Sequence, residues 1–317
     1  EIRSSDFSVN TLIPYINYQL SIPNQDMKCT LSGNYLLVVY EGDDEEDRLP
    51  VISRRFMIFE NIVSVSVNKR RPFEVLKIDS HQEFDLFVSN KDFNIVNAQK
   101  SVSVDVLQNY RWDTAIKNLK PKFVIGDKMT INNTGKVSFP ALKEYRPIDI
   151  RSFEIRAIGI NSIDLNDYNT NVLLDLGRVR RDSHFSNVLD ANGQFVIQNR
   201  DIGSDRTGGD YANVVFALES DKLEEDVYIM GAFTGWYPEE EFKMRYDDQR
   251  GVYIGDVLLK QGFYDFHYGI LQNNVLNAQP IEGSWSETTN VYQVLVYLRE
   301  PADQYDRIIG YYEFNSF

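Results

Sequence analysis

Apolar and polar residues alternate with the period of a strand through much of the chain. Val102, Val104 and Val106 are interleaved with Ser101, Ser103 and Asp105, the period-two pattern of a half-buried strand. Tyr35 to Tyr40 ("YLLVVY") is a short apolar run preceded by the turn residues Ser32, Gly33 and Asn34. It is followed by the acidic stretch "EGDDEEDR" and then by "RRFMIFE". That order predicts a β-hairpin whose loop is kept soluble by charge. Asn192-Gly193, between "NVLD" and "QFVIQN", predicts a type I′ hairpin turn. No window sustains helical periodicity beyond about three turns, and "YRWDTAIKNLK" (residues 110–120) is the segment with the pattern of a short helix.

These elements predict an all-β chain of consecutive immunoglobulin-like or early-set β-sandwich domains. One boundary is expected near Glu60 and Asn61, where "RRFMIFE" gives way to "IVSVSVNKRRPF". A second is expected in "NRDIGSDRTGGDY" (Asn199 to Tyr211), whose three glycines and scattered Asp and Ser cannot form a core and read as a linker or long loop. The resulting pieces are residues 1–60, 61–205 and 206–317. The first is short for a sandwich of about 100 residues and is expected to be the back part of a domain whose front half is missing from this sequence.

Composition narrows the function classes. The 33 Lys and Arg against 47 Asp and Glu give a net charge of −14, which repels phosphate backbones and anionic lipid, so nucleic-acid binding is disfavoured. No stretch approaches the roughly 20 continuous apolar residues of a membrane-spanning helix, so no direct helical membrane span is expected. The single cysteine, Cys29, permits no intrachain disulfide and has no Cys/His signature around it.

Candidate catalytic and metal-binding patterns are sparse. His81, His184 and His267 are scattered, none with a partner at metal-ligand spacing. No GxSxG, P-loop or GxGxxG pattern occurs. Glu239 to Glu241 reads as a solvated turn before it reads as a catalytic pair. Asp164 to Asn171 ("DLNDYNTN") offers oxygens to calcium but lacks the glycine and closing glutamate of an EF-hand loop. No catalytic residue, metal site or cofactor is expected.

Two basic clusters interrupt the acidic pattern: Lys69, Arg70 and Arg71, and Arg178, Arg180 and Arg181. Arginine is favoured at interfaces because its flat fork pairs with carboxylates and stacks on aromatics. The six are therefore candidate partner-binding residues; the plainer alternative is that they offset neighbouring Asp and Glu.

The segments "SVNTLIPYINYQLSIPN" (Ser8 to Asn24), "SGNYLLVVYEGD" (Ser32 to Asp43), "RRFMIFE", "DANGQFVI" (Asp190 to Ile197) and "YDRIIGYYEFNS" (Tyr305 to Ser316) resemble, in order, the type IX secretion system plug protein family of Bacteroidota. The resemblance implies a non-enzymatic periplasmic protein. It would dock on the periplasmic end of the outer-membrane β-barrel translocon and block it when idle. Within the last piece, "GAFTGW" (Gly231 to Trp236), "QGFYDFHY" and "TTNVYQVLVYL" resemble a glycogen-binding module of family 48. By that resemblance Trp236 and Asn290 would contact a sugar, giving an alternative function in envelope carbohydrate binding. The second platform Trp of that family is not in place, since Trp285 falls too late to align. The competing reading has Trp236 cap the core of a sandwich, close to Phe233.

Overall fold

The computed structural model describes residues 2–42, 47–131, 135–185, 188–201 and 206–316. The chain is all-β and sandwich-type, with one-turn helices between strands. It divides into two compact units, each discontinuous in sequence. One holds Glu1–Leu20, Asp79–His81 and Pro140–Asn290, and the other Ser21–Ile78, Gln82–Phe139 and Val291–Phe317. This differs from three consecutive pieces cut at 60/61 and 205/206, because strand pairing rather than local composition decides the grouping. Val291–Leu298 pairs with Val102–Gln108, and Arg146–Asp149 pairs with Gly262–Gln272. The glycine-rich stretch 199–211 lies within one unit, although residues 202–205 fall outside the described residues. There the Asn199 side-chain amide donates to Gly208 O (2.9 Å), and Asp210 accepts the N–H groups of Leu12 and Ile13 (2.5 and 3.1 Å).

The unit holding Pro140–Asn290 is built on two facing sheets. Gly262–Gln272 runs through one of them, paired antiparallel with Arg146–Asp149, Phe195–Ile197, Val227–Met230 and Val275–Asn277. The other contains Ile160–Leu165, Thr170–Leu174, Tyr211–Glu219, Val252–Lys260 and Arg245–Asp247, with the short strand Gly177–Arg178 on its parallel edge. Alternation sets the core: Ala212, Val214, Phe216 and Leu218 face inward from one sheet, and Tyr264, Phe266, Tyr268 and Ile270 from the other. Phe216 and Phe266 meet edge to face at 5.1 Å. Each Val, Leu, Ile or Phe among them taken out of water contributes about 1.5–3 kcal/mol.

Alternation also means that Asp265 and His267 must point away from this core, yet both are buried. That outer face of the strand is covered by a second apolar cluster, Leu142, Tyr145, Tyr228, Met230, Trp236, Leu276 and Ala278. This extra layer positions most of the groups discussed below.

In the other unit, Ser64–Arg70, His81–Ser89, Lys128–Ile131, Phe123–Ile125 and Ser138–Pro140 form one sheet, and Arg307–Asn315, Val291–Leu298, Val102–Gln108 and Arg111–Leu119 another. Leu86, Val104, Met129, Tyr292 and Val294 are buried in one cluster. Val102–Gln108 is flanked on both edges, so Asp105 is buried too and accepts the Asn118 N–H at 2.8 Å. Gly33–Glu41 and Leu49–Ile58 form the expected hairpin. Its second strand starts before "RRFMIFE", and residues 43–46 of the acidic loop lie outside the described residues.

Two local expectations fail. Residues 110–120 form not a helix but the strand Arg111–Leu119, joined to Val102–Gln108 through Asn109 and Tyr110, both at positive φ (53° and 61°). Trp112, Ala115, Ile116 and Leu119 stand at helical spacing, but two register shifts in the pairing re-phase the strand. Asn192 and Gly193 do make a left-handed turn (φ 52° and 79°), closed by Gln194 N–H to Ala191 O at 3.1 Å. It is not a hairpin turn, because Phe195–Ile197 pairs with Gly262–Gln272 and residues 188–190 form no strand.

Candidate functional site

The "GAFTGW" turn is held by Thr234. Its hydroxyl donates to Gly231 O (3.0 Å) and accepts the N–H groups of Gly231 and Trp236 (both 3.3 Å). Gly235 and Trp236 both adopt left-handed backbone, φ 64° and 66°. The reversal turns the indole inward: Trp236 is 8% exposed, with its ring edge to face with Tyr145 at 6.0 Å. A Cβ at Gly193 would fall 2.5 Å from the indole, so the turn at Asn192-Gly193 and the Trp236 ring need each other's shape. Asn290 is buried as well. A stacking platform needs an open aromatic face, and the Trp236 indole is turned inward, while the Asn290 amide that would bond a sugar hydroxyl is buried. Phe233 packs 5.4 Å from Tyr264, in a different cluster from Trp236.

Beneath Trp236 lies a layer of acids. Asp265 accepts the N–H groups of Ala191 (2.5 Å) and Gly193 (3.4 Å), and Asp190 those of Tyr145 (2.6 Å) and Asn192 (3.2 Å). Two carboxylates thus satisfy the backbone of one tight turn. Burial pushes the Asp265 carboxyl up to about 7, with Asp190 adding repulsion; burial raises Asp190 as well. His267 stacks on Tyr145 at 3.8 Å and 10°, and burial lowers its imidazole to about 3, which keeps it neutral.

The arginine cluster splits by direction. Glu282, in the turn Gln279–Glu282, is fully buried. It pairs with Arg146 through both oxygens (3.0–3.2 Å), with Arg180 at 2.6 Å, and accepts the Tyr268 N–H at 2.9 Å. Burial alone would raise Glu282, but the Arg146 and Arg180 guanidiniums more than reverse it and hold it at about 2. Arg180 is therefore an internal tether. Arg178 and Arg181 stay exposed, with side chains 77% and 57% accessible and with surface partners Glu219 and Asp182. In the other cluster Arg70 reaches the buried Glu83 (3.4 Å) and Asp85 (3.3 Å), while Lys69 and Arg71 are exposed. The structure does not bring the two clusters into one unit.

Two concavities accompany these groups. The larger, about 470 Å³, is lined by Lys222, Asp226, Glu240 and Lys243, whose lysines already pair with Asp248 and Asp226. The smaller, about 280 Å³, runs past Arg146 and Arg180 between apolar walls. Glu144 and Arg146, which line it, and Glu282, which holds Arg146 and Arg180 from behind, carry no recognisable sequence motif. The available signal was Glu282 itself, a charge set in the apolar run "PIEGSW", where a buried partner is required. Among the described residues no group of three or more His, Cys, Asp or Glu converges on a metal position. Asp164 to Asn171 spans a hairpin whose loop is closed by the Asn166 side chain. Glu239 to Glu241 are exposed and lead into a one-turn 3-10 helix.

Residues 1–60 match the family model described as type 9 secretion system plug protein 1st domain. The crystal structure of a hypothetical protein from Parabacteroides merdae ATCC 43184 is similar over 99% of this chain and 79% of that one, with a TM-score of 0.92 and 29% sequence identity. The comparison with curated proteins gave no match. No enzymatic family is indicated. The first-domain match over residues 1–60 supports a relation to the type IX secretion plug family.

Proposed function

We propose that this chain is a non-enzymatic plug of the type IX protein secretion translocon. In this reading it docks on the periplasmic end of the outer-membrane barrel and occludes it between cargo molecules. The observation that carries the reading is the plug-domain match at residues 1–60, which supports a role related to type IX secretion. Occlusion needs rigid bodies and a reversible interface; the sandwich-type units and the charged, exposed Arg178 and Arg181 of one of them support the reading. Lys69 and Arg71 are the candidates in the other unit. Arg70 and Arg180 act from inside, by holding buried carboxylates. Among the described residues no helix is long and apolar enough to cross a membrane.

The reading is tested by affinity capture of the chain from envelope extracts of its own source. It predicts recovery of a very large outer-membrane barrel in an amount that added α-glucans do not change. Recovery of polysaccharide or glycan-processing enzymes without the barrel would overturn it.

A further inference from the structure

We propose that the cleft beside Arg146, Glu282 and Arg180 is a binding site for a carboxylate that carries an apolar tail. The donors come first. Arg146 directs Nε and Nη2 to Glu282 and Nη2 also to Arg178 O (2.6 Å). Arg180 directs Nε to Glu282 and Nη2 to Glu144 O (2.8 Å). The Nη1 group of each guanidinium has no hydrogen-bond partner among the described residues, and both arginines line the cleft. Their side chains are 15% and 23% exposed, so they are nearly immobile and still reachable. Such donors lose little entropy on binding an anion.

Charge points the same way. Two guanidiniums face one carboxylate, which leaves a net positive centre where the dielectric is low. Glu144 also lines the cleft, and its Oε2 is buried without a partner among the described residues. Burial raises its carboxyl. Asp175 stands on the exposed rim, where water screens it.

The walls supply the second half of the ligand. Ile158, Leu174, Leu176, Val188 and Phe266 line the same cleft, and its volume of about 280 Å³ suits one apolar side chain rather than a drug-sized molecule. A phosphate would find too few donors in so apolar a space. Two sources carry the matching chemistry: the C-terminal residue of a polypeptide and a short free apolar acid.

Calorimetric titration of the whole chain separates the outcomes. The probes are a pentapeptide ending in leucine with a free carboxylate, the same peptide amidated, and hexanoate. The free-acid peptide is expected to bind, and amidation to weaken it by about tenfold or more, the effect of losing a charge-assisted bidentate contact. Hexanoate binding as tightly as the peptide would assign the site to free acids; much weaker hexanoate binding would assign it to chain termini. Leu176 is exposed at the lip, so Leu176→Asp should keep the thermal midpoint and weaken every acid by about tenfold. Equal binding of acid and amide overturns the proposal. So does the absence of binding by both acids up to about millimolar concentration.

Discussion

Trp236 decides at the level of one side chain whether the third motif-rich segment recognises sugar or holds structure. Its burial against Tyr145 and the Gly193 backbone predicts that Trp236→Ala costs about 3–5 kcal/mol, the range for a large buried aromatic. Urea denaturation would measure the loss; a stable variant would place the indole at the surface. Asp265 and His267 give the same layer a pH dependence. Asp265 sits at about 7 when folded and about 3.9 unfolded. A raised carboxyl adds stability that is full below about pH 4 and is lost as pH rises to about 7. His267, at about 3 folded and about 6.5 unfolded, acts in the opposite sense. Its stability is full above about pH 6.5 and is lost as pH falls towards about 3. The two slopes oppose one another between about pH 4 and 6.5. Asp265→Asn removes one of them, so the variant should gain on the wild type by about 1.4 kcal/mol per pH unit as pH rises through that window. Parallel stability curves would show that Asp265 is not buried as an acid. Arg180 behaves differently from its neighbours. Removing it strands part of the Glu282 charge and should cost about 3 kcal/mol, whereas Arg178→Glu with Arg181→Glu should leave stability within about 0.5 kcal/mol and weaken docking. Nothing in "GRVRRD" distinguishes these roles, because the partner that divides them, Glu282, lies 102 residues from Arg180.

Strands whose apolar positions alternate cleanly were legible in the sequence, and the structure shows why others were not. Val102–Gln108 and the hairpin from Gly33 can be read from period and turn residues alone. Arg111–Leu119 cannot, since its bulged pairing places apolar residues at a helix-like spacing and its turn, Asn109-Tyr110, lacks the customary glycine. The Asn273-Asn274 turn has the same left-handed pair (φ 50° and 62°) between Gly262–Gln272 and Val275–Asn277. Glycine adopts that second position without a Cβ penalty. Asn274→Gly is therefore expected to raise the thermal midpoint; a lower one would mean that the Asn274 side chain contributes more than its backbone strain costs.

For the whole molecule, the all-β class was legible and the grouping into units was not. Composition marks where a chain is soluble, but Val291–Leu298 joins Val102–Gln108 across nearly 200 residues of sequence through pairing that no local window contains. The family resemblance rests on ordered segments along the chain, and the match at residues 1–60 supports it over those that fall there. The central claim is occlusion, and dye release from vesicles that contain the purified translocon barrel tests it most directly. The account predicts that adding the chain slows release and that the Arg178→Glu/Arg181→Glu protein, equally stable, slows it less. Release that proceeds unchanged while the chain is bound to the barrel would contradict it.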